Sequence, residues 1–119
     1  LRTWSHSGRA GASIGRARHS VLRTCDAWDL GNVANAELVV SELVANAVLH
    51  GWGHVALRLF DTGDGLRIEV EDANPAPPVI TEGHANGVGG YGVQIIERLA
   101  DWGWRPSGEG KIVWAKLRT

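Results

Sequence analysis

Methionine is absent from this sequence, position 1 included, and only one cysteine, Cys25, stands among its 119 residues. A lone cysteine cannot close an internal disulfide, which fits a reducing compartment. On the helix its neighbours predict, Cys25 reads as a small buried hydrophobe, with no partner residues that would mark a nucleophile. The missing Met leads us to expect a trimmed chain or a piece of something longer. No apolar run approaches the ~20 residues a membrane-spanning helix needs, and no signal-peptide pattern is visible, so we expect no membrane association and a cytoplasmic location. Low-complexity runs are also missing. With 44% hydrophobic and 21% charged residues, the composition is that of a folded domain rather than a disordered chain, and the length suits one domain over residues 1–119. Charge of one sign is scarce too: the net charge is −1, which gives no whole-molecule attraction to nucleic acid or a membrane surface. Acids are missing from the first quarter, where Arg2, Arg9, Arg16, Arg18 and Arg23 all precede Asp26. Arg16 and Arg23 share one side of a predicted helix, so this row is either a solvated face or a surface for an acidic protein partner.

Residues 1–6 read as a short edge strand, broken by Ser7-Gly8 and Gly11. Over residues 12–28, Ile14, Ala17, Val21, Leu22 and Cys25 recur at helical spacing and predict a first amphipathic helix. Asp29-Leu30-Gly31-Asn32 breaks it. Asn32 or Asn35 then caps a second helix, with Glu37 in its first turn and Gly51-Trp52-Gly53 as its stop. Two alternating runs, 54–60 and 66–71, flank Asp61-Thr62-Gly63-Asp64-Gly65 and predict a hairpin with one polar and one buried face. Residues 73–90 hold three prolines and four glycines but few anchoring side chains, and we read them as a mobile flap. A third helix over 93–100 and a closing hairpin, 102–105 with 111–117 around Pro106-Ser107-Gly108-Glu109-Gly110, complete the chain.

The second helix is the informative stretch. At ~100° per residue, Glu42, Asn46 and His50 fall within about 80° of one another. Leu38, Val40, Leu43, Val44, Ala47 and Val48 fill most of the remaining circumference. A helix apolar nearly all round, with one polar stripe, must offer that stripe to solvent, to a protein cation or to a ligand, because an unpaired buried charge is costly. Gly90-Tyr91-Gly92, directly before the third helix, is either a plain turn or a phosphate seat at a helix start. Asp72, at the end of a buried-type strand, is either a turn-former or a carboxylate presented into a pocket. His50 and His54 have the spacing of a metal pair, but the intervening glycines end the helix, so no zinc site is expected.

In order and spacing these features resemble one family. Glu42-Leu-Val-Ala-Asn46-Ala-Val-Leu-His50-Gly51 is similar to the N box of the GHKL ATPase superfamily of gyrases, heat-shock chaperones, histidine kinases and mismatch-repair proteins. Val70-Glu71-Asp72-Ala73-Asn74 looks like its next motif and Gly90-Tyr91-Gly92 like its glycine-rich lid motif. The resemblance spans nearly the whole chain, and its nearest form is the small anti-sigma factor branch with serine-kinase activity. It implies an α/β (α+β) two-layer sandwich, with helices on one face of a mostly antiparallel sheet. It also implies ATP and Mg²⁺ as ligands: Asn46 on the metal, Asp72 on the adenine amine, His50, Asn74, Gly90, Tyr91 and Gly92 lining the nucleotide, and Glu42 as the base that activates a serine hydroxyl or water, in a protein that phosphorylates a serine or threonine of an antagonist. The implied partners are an antagonist protein, a sigma factor, or a second copy of the chain in a homodimer. The alternatives are a non-catalytic nucleotide-binding module that sequesters a sigma factor or other regulator, or an ATPase domain from a larger signalling protein.

Three positions depart from the family's pattern. Asn74-Pro75 follows Asp72 where the family commonly has Gly, Val88-Gly89 stands where a kinase relative often has Arg, and Ile112 stands where a Thr often supports the adenine carboxylate. The last two bear on turnover more than on nucleotide binding.

Overall fold

The computed structural model describes residues 2–9, 14–50, 52–78 and 92–118. In chain order the elements are β1 (Arg2–Arg9), α1 (Ile14–Ala27), α2 (Val33–His50), β2 (His54–Asp61), β3 (Leu66–Asp72), α3 (Gly92–Leu99), β4 (Ala100–Ser107) and β5 (Gly110–Leu117). The strands form one antiparallel sheet in the order β1-β2-β3-β5-β4, so β3 is central. This is the α/β architecture expected, with the helices layered on one face.

Strand alternation decides which face is which. Leu57, Leu59, Leu66, Ile68, Val70, Val113, Ala115 and Leu117 turn inward and join Ala17, Val21 and Cys25 of α1 and Val39, Val40, Leu43, Val44 and Ala47 of α2 in one core. Each such aliphatic side chain contributes ~1.5–3 kcal/mol when fully buried. α2 lies in the middle of the helical layer, against α1, α3, β3 and β5. By length and composition alone it would pass for a membrane span, but seven of its residues are buried against these neighbours. Two of its leucines escape the layer, Leu38 at 46% and Leu49 at 71% exposed, so its apolar circumference is less enclosed than its sequence predicts. Leu22 of α1 is likewise exposed. Cys25 is buried as expected, and its thiol is pushed up by burial and by the nearby Glu37 charge.

The helix ends show how the sequence turns corners. After α1 the N–H of Leu30 donates to the Cys25 carbonyl and that of Asp29 to the Asp26 carbonyl, with Asp29 left-handed at φ 54. That is the Schellman arrangement, with Asp in the place usually held by Gly. Asn32 sits at the start of α2 and its carbonyl accepts from Ala36 N–H, also with a left-handed backbone (φ 59).

Three expected boundaries shift. β1 does not stop at Ser7-Gly8 but pairs through Arg9↔His54, since a glycine is tolerated on an edge strand. α3 ends at Leu99 and the chain passes directly into β4, without an intervening loop. The last hairpin closes through Ser107↔Gly110 with Gly108 at φ 56, which leaves Pro106 inside edge strand β4, where its missing N–H costs no central ladder bond. Of the flap expected over 73–90, residues 79–90 lie outside the described residues, as does Tyr91.

Candidate functional site

The polar stripe of α2 opens progressively toward the helix C-terminus: Glu42 and Asn46 are half-buried and His50 is exposed. Among the described residues, neither the Glu42 carboxylate nor the Asn46 amide has a hydrogen-bond partner, so both polar ends are available. Burial pushes the Glu42 carboxyl up, and the Arg18 guanidinium of α1 partly offsets this. Arg18 is anchored there, its Nε donating to Ser41 Oγ at 2.6 Å while Ser41 Oγ donates to the Glu37 carbonyl at 2.6 Å. Arg18 is largely exposed, yet it reaches across to α2.

Asp72, the last residue of β3, is 3% exposed on the inner face of the sheet, and β5 runs close against its backbone. A Cβ built on Gly110 would fall on the Asp72 carbonyl oxygen and 2.8 Å from Ala73 Cα, so no other residue fits at the start of β5. The Asp72 Oδ1 accepts from Asn74 N–H at 2.7 Å and from Lys111 Nζ at 3.2 Å, and Lys111 Nζ also donates to the Asn74 carbonyl at 3.1 Å. Lys111 is only 2% exposed.

The register corrects the expectation for Ile112. Asp72 pairs with Lys111 and Glu71 with Ile112, and neighbours along a strand point to opposite faces, so Ile112 lies on the outer side and the residue beside the carboxylate is Lys111. Sequence reading missed Lys111 because a lysine before Ile-Val-Trp looks like an ordinary solvent-facing strand position. Only the pairing of two strands 39 residues apart turns it inward.

Asn74 joins the two halves of the site. Its Nδ2 donates to the His50 carbonyl at 2.6 Å, and its Oδ1 accepts from Ala76 N–H at 3.0 Å. One side chain thereby fastens the end of α2, which carries Glu42 and Asn46, to the end of β3, which carries Asp72. The two amide functions of Asn74 are thus engaged within the protein, and His50 supplies its carbonyl while its ring stays on the exposed end of the helix. Gly92 opens α3, while Gly90 and Tyr91 lie outside the described residues.

The donor set suits Mg²⁺ held largely by a ligand's phosphates. Among the described residues, no group of three or more His, Cys, Asp or Glu could hold a metal ion. Asn46 offers one neutral, hard amide oxygen at a half-buried position, and would hold a Mg²⁺ ion only together with oxygens from outside the protein.

No curated protein matches the chain. A family model described as histidine kinase-like ATPase domain matches residues 9–117, from the end of β1 to the end of β5. The match takes in Glu42, Asn46 and Asp72 together with α1–α3 and β2–β5. The chain therefore belongs to the histidine kinase-like ATPase domain family of the GHKL superfamily, which suggests ATP binding, typically with Mg²⁺.

Proposed function

We propose that this domain binds ATP·Mg²⁺ between α2 and the end of β3 and works as an anti-sigma-factor-like regulator in the cytoplasm, phosphorylating a serine or threonine of an antagonist protein. The observation that carries this reading is the Asn74 bridge, which fixes the helix bearing Glu42 and Asn46 against the strand end bearing Asp72. Asp72 accepts from the adenine amine at one end, and Asn46 faces the phosphates at the other. Asn46 would help hold Mg²⁺, which would supply charge neutralisation for the transferring group.

Glu42 is the base. The substrate hydroxyl oxygen attacks the γ-phosphorus, its proton passes to the Glu42 carboxylate, and the bond to the β–γ bridging oxygen breaks with ADP as the leaving group. A carboxyl raised by partial burial is better matched to taking that proton near neutral pH than an ordinary glutamate. Phosphoryl transfer needs mainly positioning and charge stabilisation, which a site this sparse can supply.

The test is incubation of the protein with γ-labelled ATP, Mg²⁺ and the small proteins encoded beside its gene. Label on a serine or threonine of one of them, lost with Glu42→Ala, is the expected result. ATP binding without transfer to any of them would replace the kinase with the nucleotide-binding module that sequesters a regulator.

A further inference from the structure

A lysine buried against the carboxylate that would read the base carries a desolvation cost that an apolar residue of similar length, paired with a neutral neighbour, would not. What Lys111 does for Asp72 is specific. Both protein donors that reach the carboxylate among the described residues, Asn74 N–H at 2.7 Å and Lys111 Nζ at 3.2 Å, fall on Oδ1. Lys111 is in turn held by the Asn74 carbonyl at 3.1 Å, so its ammonium cannot swing toward Oδ2 without losing that bond. The side chains of both partners are 2% exposed, so water competes little with this arrangement. Among the described residues this leaves Oδ2 as the carboxylate oxygen without a protein donor, and so the one that can meet a ligand.

We infer that Lys111 is a positioning residue for base selectivity: by claiming Oδ1 it presents Oδ2 of Asp72 as a fixed acceptor, so that the site takes a purine with an amino group at position 6 and rejects one with an oxo group there. The inference rests on the reading of Asp72 as the base-binding carboxylate. A 6-amino group donates to Oδ2, whereas a 6-oxo group would set acceptor against acceptor and leave both unpaired. Removing Lys111 leaves a single donor on Oδ1, so the carboxylate is no longer held in one orientation and its discrimination between a donor and an acceptor on the base weakens.

The same logic fixes an amide. In Asp72→Asn the Lys111 ammonium and Asn74 N–H both require oxygen at the Oδ1 position, which turns the amide NH₂ toward the base and favours the 6-oxo purine.

Calorimetric titration with ATP·Mg²⁺ and with inosine triphosphate·Mg²⁺ tests this. Wild type should prefer ATP by roughly ten- to a hundredfold, the value of one hydrogen bond to a charged group. Lys111→Met should shrink that ratio to a few-fold and Lys111→Arg should restore most of it. Asp72→Asn should invert the preference, and Asp72→Asn with Lys111→Met should shrink the inversion. The double variant holds no buried charge at this site, so it provides a reading even if Lys111→Met alone fails to fold.

Equal ATP-to-inosine-triphosphate ratios in Asp72→Asn and in the double variant would overturn the inference while leaving ATP binding intact. A wild-type preference for inosine triphosphate would also overturn it, since Lys111 would then be donating to the base directly. Wild-type protein that binds neither nucleotide would overturn the Asp72 assignment itself.

Discussion

β3 carries buried carboxylates on both faces of the sheet, and the two surroundings differ. On the outer face, Glu69 lies 2.9 Å from Arg67 Nε, 3.6 Å from Arg58 Nε and 3.7 Å from Arg105 Nη2. Next to it Glu71 takes Arg58 Nη2 at 2.6 Å and Ser107 Oγ at 3.0 Å. Arg67 also lies over the Trp114 ring, 4.5 Å from its centroid, and Trp114 packs against Gly103, where a Cβ would meet it at 2.8 Å. Both outer carboxylates of β3 are thus engaged by protein partners. On the inner side, among the described residues, Asp72 is met only on Oδ1, and Glu42 and Asn46 have no hydrogen-bond partner. A carboxylate saturated by several cations serves the fold, whereas one with an oxygen left over can serve a ligand. Burial alone does not separate the two, because Glu69 and Asp72 are both nearly inaccessible.

Substitutions that act on one side only should break or sharpen this contrast. The largest effect is expected at Glu42. Glu42→Ala should retain ATP affinity and lose about 10²–10⁴-fold in phosphoryl transfer, measured with labelled ATP. Transfer by the parent protein should rise with pH along a limb displaced above the ordinary glutamate value of ~4.3, because the base must be ionised and burial raises its pKa. Arg18→Met should move that limb further up, since the Arg18 charge is what lowers it. The sign for stability is opposite: with its folded pKa raised, Glu42 contributes stability that is present below the unfolded pKa and lost as pH climbs through the folded one. Glu42→Gln should flatten that dependence in denaturant titrations.

Next comes Gly110→Ala, which drives a methyl into the Asp72 carbonyl and should cost about 3 kcal/mol or more, read as a fall in urea midpoint. Asp72→Ala should weaken ATP binding roughly ten- to a hundredfold by calorimetry, corresponding to ~1.5–3 kcal/mol. Equal affinity in the two proteins would remove Asp72 from the base site. The smallest effects belong to the outer face. Glu69→Gln should cost ~1–2 kcal/mol of stability and Arg105→Ala ~0–1 kcal/mol, because the arginines are 28–49% exposed and screened by solvent. Neither should alter ATP affinity, and a change in affinity from either one would erase the distinction between the faces.

The parts of the molecule legible in the sequence are those governed by local pattern. The α2 stripe, the β2–β3 hairpin around Gly63 and the turn before β5 follow from periodicity and turn chemistry, and the structure has all three. Inward and outward residues of β2 and β3 also alternate as read, although Glu69 on the polar face proves buried under arginines that each look solvated in sequence. What could not be read depends on partners distant in the chain. The lysine facing Asp72 is settled by the β3–β5 register, the Arg18–Ser41 contact by how α1 crosses α2, and the need for Gly110 by the backbone it abuts. Exposure of Leu38 and Leu49 is another such case, since a helix wheel gives directions but not which neighbours occupy them.

The bond from Asn74 Nδ2 to the His50 carbonyl gives the site a fixed gauge length. With the end of α2 tied to the chain just after Asp72, a large change in the span from Asn46 to Asp72 would strain that 2.6 Å bond. A nucleotide that reaches both ends must have the matching distance between its base and its outer phosphates, so the domain would measure its ligand as well as recognise its chemical groups. A ligand one phosphate shorter would engage one end of the gauge and miss the other.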